Sequence, residues 1–136
     1  MKFLFLLLIL FVSVYADVYT QKLYETILGS IFKERPIVVF VTGDAKATLE
    51  NSKIFDVVTT CKNASVAVIG DDSSSKQECG NIPIFTTTHR DYMRILNAFG
   101  AFYWRKGRPQ IHFRERGLKM FHLHLSHNLQ RFIDAG

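Results

Sequence analysis

Between Val18 and Lys33 the apolar residues Val18, Leu23, Ile27, Leu28, Ile31 and Phe32 recur at the spacing of one helix face. Arg35-Pro36 closes this amphipathic helix, because the residue before a proline is pushed out of the helical region. Ile37-Val38-Val39-Phe40-Val41 follows as a continuous run rich in β-branched residues, the pattern of a strand covered on both faces. Thr42-Gly43-Asp44 ends the strand, and Asp44 stands where it can cap a helix from Ala45 to about Phe55 that contains Leu49, Ile54 and Phe55. Ala64 to Ile69 repeats the buried-strand pattern and again ends in Gly70-Asp71. The two similar endings predict neighbouring parallel strands joined by a crossover helix.

The stretch Asp72 to Gln77 is polar and aperiodic, hence a surface loop. Ile82 to Thr87 reads as a third strand with Pro83 at its start, where a missing N–H costs least, and Thr88 can cap a short helix from Arg90 to Leu96. Ala101 to Arg105 and Gln110 to Arg114 then flank a glycine-containing turn, Lys106 to Pro109, which predicts an antiparallel hairpin. Leu129 to Ile133 reads as a short closing helix that buries Leu129, Phe132 and Ile133. Together these elements predict an α/β fold: one three-layer domain with a mixed sheet, parallel strands first and an antiparallel hairpin last.

Ahead of this domain, Lys2, the apolar run Phe3 to Val12 and the small residue closing Val14-Tyr15-Ala16 make the three parts of a secretory signal peptide, residues 1–16. The run is too short for the ~20 apolar residues of a bilayer-spanning helix. Cleavage after Ala16 leaves residues 17–136 as a single exported domain, most simply periplasmic. The net charge of +5 becomes +4 once Lys2 is removed. Its excess gathers in Arg105, Lys106, Arg108, Arg114, Arg116 and Lys119, a positive field that suits either a solvated face or an acidic ligand, an anionic glycan or a membrane surface. Export argues against nucleic acid as a partner.

Cys61 and Cys79 are the two cysteines, without CxxC spacing, and in an oxidising compartment they predict one disulfide. Each precedes a predicted strand, so parallel pairing of those strands brings both thiols to the same end of the sheet. Closing this loop stabilises the fold by roughly 3 kcal/mol in the chain-entropy model. Asn63-Ala64-Ser65 is a glycosylation sequon that matters only in a eukaryotic secretory pathway.

Two clusters could carry chemistry. Tyr103 and Trp104 beside Arg105, Lys106 and Arg108 could form a stacking platform or an interface anchor, since aromatics and arginine dominate interface energetics. The plainer alternative has Phe102 and Trp104 facing the core while Tyr103 reaches to solvent. His112, His122, His124 and His127 form the other cluster. On an extended segment His122 and His124 would share one face while Phe121, Leu123 and Leu125 point inward, and His112 would face outward between Ile111 and Phe113. Such imidazoles bind zinc or copper, or simply line a solvated strand face. Asp44, Asp71 and Asp72 fall at carboxyl ends of strands, where open α/β sheets place their crevices, yet a cap and a turn account for them. There is no GxSxG, no CxxC and no glycine-rich phosphate loop, so no enzyme is expected. The missing CxxC also argues against a thioredoxin-like redox role, which Pro83 before a strand would otherwise suggest.

Gly107-Arg108-Pro109-Gln110-Ile111-His112-Phe113, Leu123-His124-Leu125-Ser126 and Leu129 with Phe132-Ile133 resemble the closing hairpin, penultimate segment and last helix of the YfiR family. These are exported α/β regulators that restrain an inner-membrane diguanylate cyclase from the periplasmic side. The leading helix with its terminal proline and the thiol pair are compatible with the family, although Arg35-Pro36 stands where it usually has Trp-Pro. The resemblance implies a short helix between Arg114 and Phe121. It also implies a non-enzymatic binding or regulatory domain without cofactor, acting through a membrane signalling partner such as a diguanylate cyclase. The alternative from the residues alone is an exported histidine-based protein binding zinc or copper.

Overall fold

The computed structural model describes residues 18–70 and 79–134. The segment 1–16 read as a signal peptide, Asp71, Asp72 and the stretch 72–77 expected to be a polar loop lie outside them. Helix α1 (18–31) is followed by β1 (Ile37–Val41), α2 (Ala45–Glu50), β2 (Phe55–Val58), β3 (Val66–Ile69), β4 (Ile84–Thr86), α3 (His89–Arg94), β5 (Gly100–Arg105), β6 (Arg108–Phe113), α4 (Glu115–Met120) and a 3₁₀ turn (His127–Phe132). The strands form one six-stranded sheet in the order β2-β1-β3-β4-β5-β6, parallel through β5 and antiparallel between β5 and β6. The first five follow the 2-1-3-4-5 order of a doubly wound sheet. The expected α/β fold with a mixed sheet is therefore the observed one.

Both faces are covered. Tyr24, Ile27 and Leu28 of α1 pack with Val39, Val66, Val68, Phe85, Phe102 and Phe113, a layer that Leu118 and Leu129 complete. On the opposite face Tyr92 of α3 and the segments carrying Cys61 and Cys79 cover Phe40, Ala67, Ile69, Ile84 and Ala101. The disulfide joins Cys61 to Cys79 with a Cα–Cα distance of 5.4 Å, at the amino ends of the paired strands β3 and β4 as their parallel register requires. Such a bond belongs to an oxidising, extracytoplasmic compartment. Among the described residues no helix is long and apolar enough to cross a membrane.

The region after β1 departs from expectation. Helix α2 stops at Glu50, and Phe55 opens β2 instead of closing the helix. The chain turns through Ser52, whose N–H bonds the Leu49 carbonyl at 3.1 Å and whose hydroxyl accepts from the Ile54 N–H at 3.4 Å. Phe55 then pairs with Ile37, so sheet pairing overrides the helical spacing of Leu49, Ile54 and Phe55. Asp44 has helical backbone angles and makes no capping hydrogen bond with its side chain. The tight bend instead uses Gly43 at φ +85°, where a Cβ would lie 2.4 Å from the Gly70 carbonyl oxygen.

The hairpin is tighter than expected. Lys106 and Gly107, both at positive φ (52° and 75°), make a two-residue turn that lets β6 begin at Arg108. Thr88 caps α3 as expected, accepting the Asp91 N–H at 3.0 Å while its hydroxyl donates to Asp91 Oδ2 at 2.9 Å. Helix α4 fills the interval between Arg114 and Phe121. It ends where His122 takes φ 54°, with the His122 N–H bonded to the Lys119 carbonyl and the Leu123 N–H to that of Leu118. This pair of bonds is a Schellman stop. The extended segment through Phe121 to Leu125 is therefore absent, although Leu123 and Leu125 still pack on the core while His122 and His124 are exposed.

Candidate functional site

The pleat of β5 divides the aromatic and basic cluster between the two faces of the sheet, since successive strand residues point in opposite directions. Phe102 is fully buried and its ring lies 5.9 Å from Trp104. Trp104 shares that inward face but projects past the start of α1 and is 41% exposed. Its indole N–H donates to Thr20 Oγ1 at 3.1 Å and its ring lies 5.9 Å from Tyr19. Trp104 is thus a half-covered rim residue, not the core residue that alternation alone predicts.

Tyr103 lies on the other face. It stacks on His112 with ring centres 5.8 Å apart and meets the edge of His89 at 5.7 Å. The hairpin register pairs Tyr103 with Gln110 and Arg105 with Arg108, which gives both arginines the Tyr103 side. Here an open cavity of about 450 Å³ is lined by Thr87, Thr88, His89, Tyr103, Trp104 and Arg105. It sits outside the carboxyl ends of β4 and β5, the edge at which sheets of this type bind ligands. Burial raises the Tyr103 hydroxyl above its ordinary pKa; Arg105 opposes that rise and Asp134 adds to it. The phenol therefore stays a hydrogen-bond donor at neutral pH, beside a permanent cation.

Behind Tyr103 a polar network ties down the end of the chain. Asp134 accepts from the Tyr92 hydroxyl at 2.6 Å through Oδ2 and meets His112 Nδ1 at 3.0 Å through Oδ1. The His112 ring also stacks on Tyr92 at 5.7 Å. Burial alone would raise the Asp134 carboxyl, but hydrogen bonds from Tyr92 and His112, with charge from His112 and Arg114, hold it below the ordinary carboxylate value. The Tyr92 hydroxyl is pushed well up, first by burial and then by its bond to Asp134. Two residues of this network, Tyr92 and Asp134, carry no sequence signal, since 42 positions separate them. Tyr19 and Thr20 are likewise invisible as neighbours of Trp104 until the fold closes.

The basic excess is not one field. Arg114 donates to the carbonyls of Tyr92, Ile95 and Ala98 at 2.8 to 3.2 Å and lies 4.0 Å over the Tyr92 ring, so it clamps the turn after α3. Lys119 pairs with Glu115 at 3.0 Å. Arg105, Lys106 and Arg108 remain exposed at the hairpin end and form no ion pair among the described residues.

The four histidines fall in three places. His112 belongs to the Tyr92–Asp134 network, His122 and His124 border an open cavity of about 400 Å³ beside α4, and His127 lines another beside Arg131. The Schellman stop turns His122 out of the extended conformation that would align it with His124, and His112 is held instead by Asp134. Among the described residues no group of three or more histidine, cysteine, aspartate or glutamate side chains is placed to hold a metal ion. Asp44 sits at the carboxyl end of β1, away from the hairpin. No family model, curated protein or solved structure matches the chain.

Proposed function

We propose that this chain is an exported, periplasmic regulatory domain without catalysis of its own, which binds an inner-membrane signalling protein through the Tyr103 face of its hairpin. The observation that carries the reading is the pairing of a hollow with cations that form no ion pair among the described residues: Tyr103 and Arg105 border the cavity, and Arg108 stands opposite Arg105. Arginine forks and a phenol donor suit carboxylates on a partner surface, and a preformed hollow seats a side chain. The resemblance of the hairpin and the closing segments to the YfiR family points to a diguanylate cyclase as that partner.

The test is capture from detergent-solubilised membranes by the exported protein, compared with an Arg105→Glu/Arg108→Glu variant. The parent retains a diguanylate cyclase, and the variant retains at least about tenfold less, as expected when both members of an interface charge pair carry the same sign. If no membrane protein is retained and deletion of the gene leaves cyclic dinucleotide levels unchanged, the reading fails.

A further inference from the structure

The opposite face of the same hairpin has different chemistry. Val18 and Tyr19 are each 49% exposed and Trp104 is 41% exposed, and the two rings are in contact, so these side chains form one apolar patch at the carboxyl edge of the sheet. The indole N–H is already satisfied by Thr20, which fixes the ring and leaves its carbon surface outward. Lysines flank the patch: Lys22 lies one helical turn from Tyr19, and Lys106 is at the tip of the turn beside Trp104, both exposed. The one carboxylate on the described part of α1, Glu25, accepts a hydrogen bond from Gln21 at 3.0 Å.

From this placement we infer that the Val18, Tyr19 and Trp104 face rests on an anionic phospholipid surface. Tryptophan and tyrosine favour the headgroup level, where an apolar ring and a polar edge are both accommodated, and flanking lysines gain from the negative surface potential while their stems cover apolar area. The Tyr103 face, by contrast, offers arginines around a hollow, which suits a protein carboxylate and not a fluid surface. Position agrees with chemistry. Residue 18 joins the segment that carries the apolar run Phe3 to Val12, so this end of the domain meets the bilayer first during export. The lipid contact would hold the domain with its Tyr103 face free for a membrane protein, and it rests on the proposed export but not on the proposed partner.

Trp104 is the only tryptophan in the chain, so its emission reports on the patch and the adjoining rim of the hollow without a contribution from any other indole. With protein purified after export, vesicles of phosphatidylglycerol should shift that emission to shorter wavelength and carry the protein into the pellet, whereas phosphatidylcholine vesicles should do neither. Trp104→Ala and Lys22→Glu/Lys106→Asp should each lower the pelleted fraction about fivefold or more. Aspartate tolerates the positive φ at position 106, and each variant keeps the parent's N-terminal residues, so any binding by that segment is common to all. An unshifted emission in phosphatidylglycerol, an equal response to phosphatidylcholine, or undiminished pelleting of Trp104→Ala overturns the inference. The vesicles contain no protein, so a failed capture of the signalling partner leaves this outcome untouched, and the converse also holds.

Discussion

The two faces of the sheet are held by different physics. On the α1 face Tyr24, Phe85, Phe99 and Phe102 pack ring against ring, with centroids 5.1 Å apart for Tyr24 and Phe102 and 5.4 Å for Phe85 and Phe99. Burial of such side chains needs no directional bond. The α3 face mixes Phe40, Ile69 and Ile84 with the small residues Ala67, Ala98 and Ala101, beneath a six-residue helix. It therefore relies more on linkages: the disulfide beside β3 and β4, and the Arg114 clamp and the Tyr92–Asp134–His112 network beside β5 and β6. A face held by burial is insensitive to pH and redox state. One held by linkages responds to both, and it is also the face that carries the proposed partner site.

Four measurements sharpen or break this contrast. The largest effect should come from Phe85→Ala, which removes a fully buried ring in contact with Tyr24 and Phe99 and should cost about 3–5 kcal/mol in urea unfolding. A loss no larger than that of any α3-face variant would contradict the assignment of the aromatic core to the α1 face. Next, Cys61→Ser and Cys79→Ser should each cost roughly 3 kcal/mol, and the double variant no more than either alone, because the two sulfurs act as one unit. Additive losses, or thiols that alkylate without reductant in freshly exported protein, would remove the disulfide from the account.

Arg114→Met should cost about 2 kcal/mol by stripping the carbonyls of Tyr92, Ile95 and Ala98 of a charged donor. Arg114→Lys should recover little of it, because an ammonium cannot reproduce the fork. Full recovery with lysine would mean that the charge matters and the geometry does not.

The smallest effect is in the pH profile. The folded Asp134 carboxyl lies below its ordinary value, so its stabilisation is fully present above about pH 4 and is lost as pH falls through the depressed folded value. Tyr92 runs the other way: its folded value is raised, so its contribution is present below about pH 10 and is lost as pH rises through the folded value. Asp134→Asn should flatten the acid limb and Tyr92→Phe the alkaline limb. Asp134 is 42% exposed, so solvent screening keeps its share below about 1 kcal/mol. Unchanged limbs in both variants would show that the network does not couple to folding.

Much of this was legible in the sequence because it depends on neighbours along the chain. The β-branched runs at Ile37–Val41 and Val66–Ile69, the Thr88 cap and the hairpin around Lys106-Gly107 each express a local preference that the fold keeps. The position of both cysteines just before strands also foretold their meeting, since parallel register carries a local offset across the sheet. Three features needed the tertiary structure. Phe55 joins β2 because an open edge of β1 offers hydrogen bonds that outweigh its helical spacing. His122 leaves the extended conformation because α4 must end where Leu118 and Leu123 can both pack on the core, and the turn between them takes a left-handed residue. Trp104 is half exposed because α1, 84 residues away in sequence, begins beside it, and no local pattern encodes where a distant helix starts. Local preferences fix which segments are helix or strand; which face, which edge and which neighbour each residue meets is decided only when the segments compete for the same sheet.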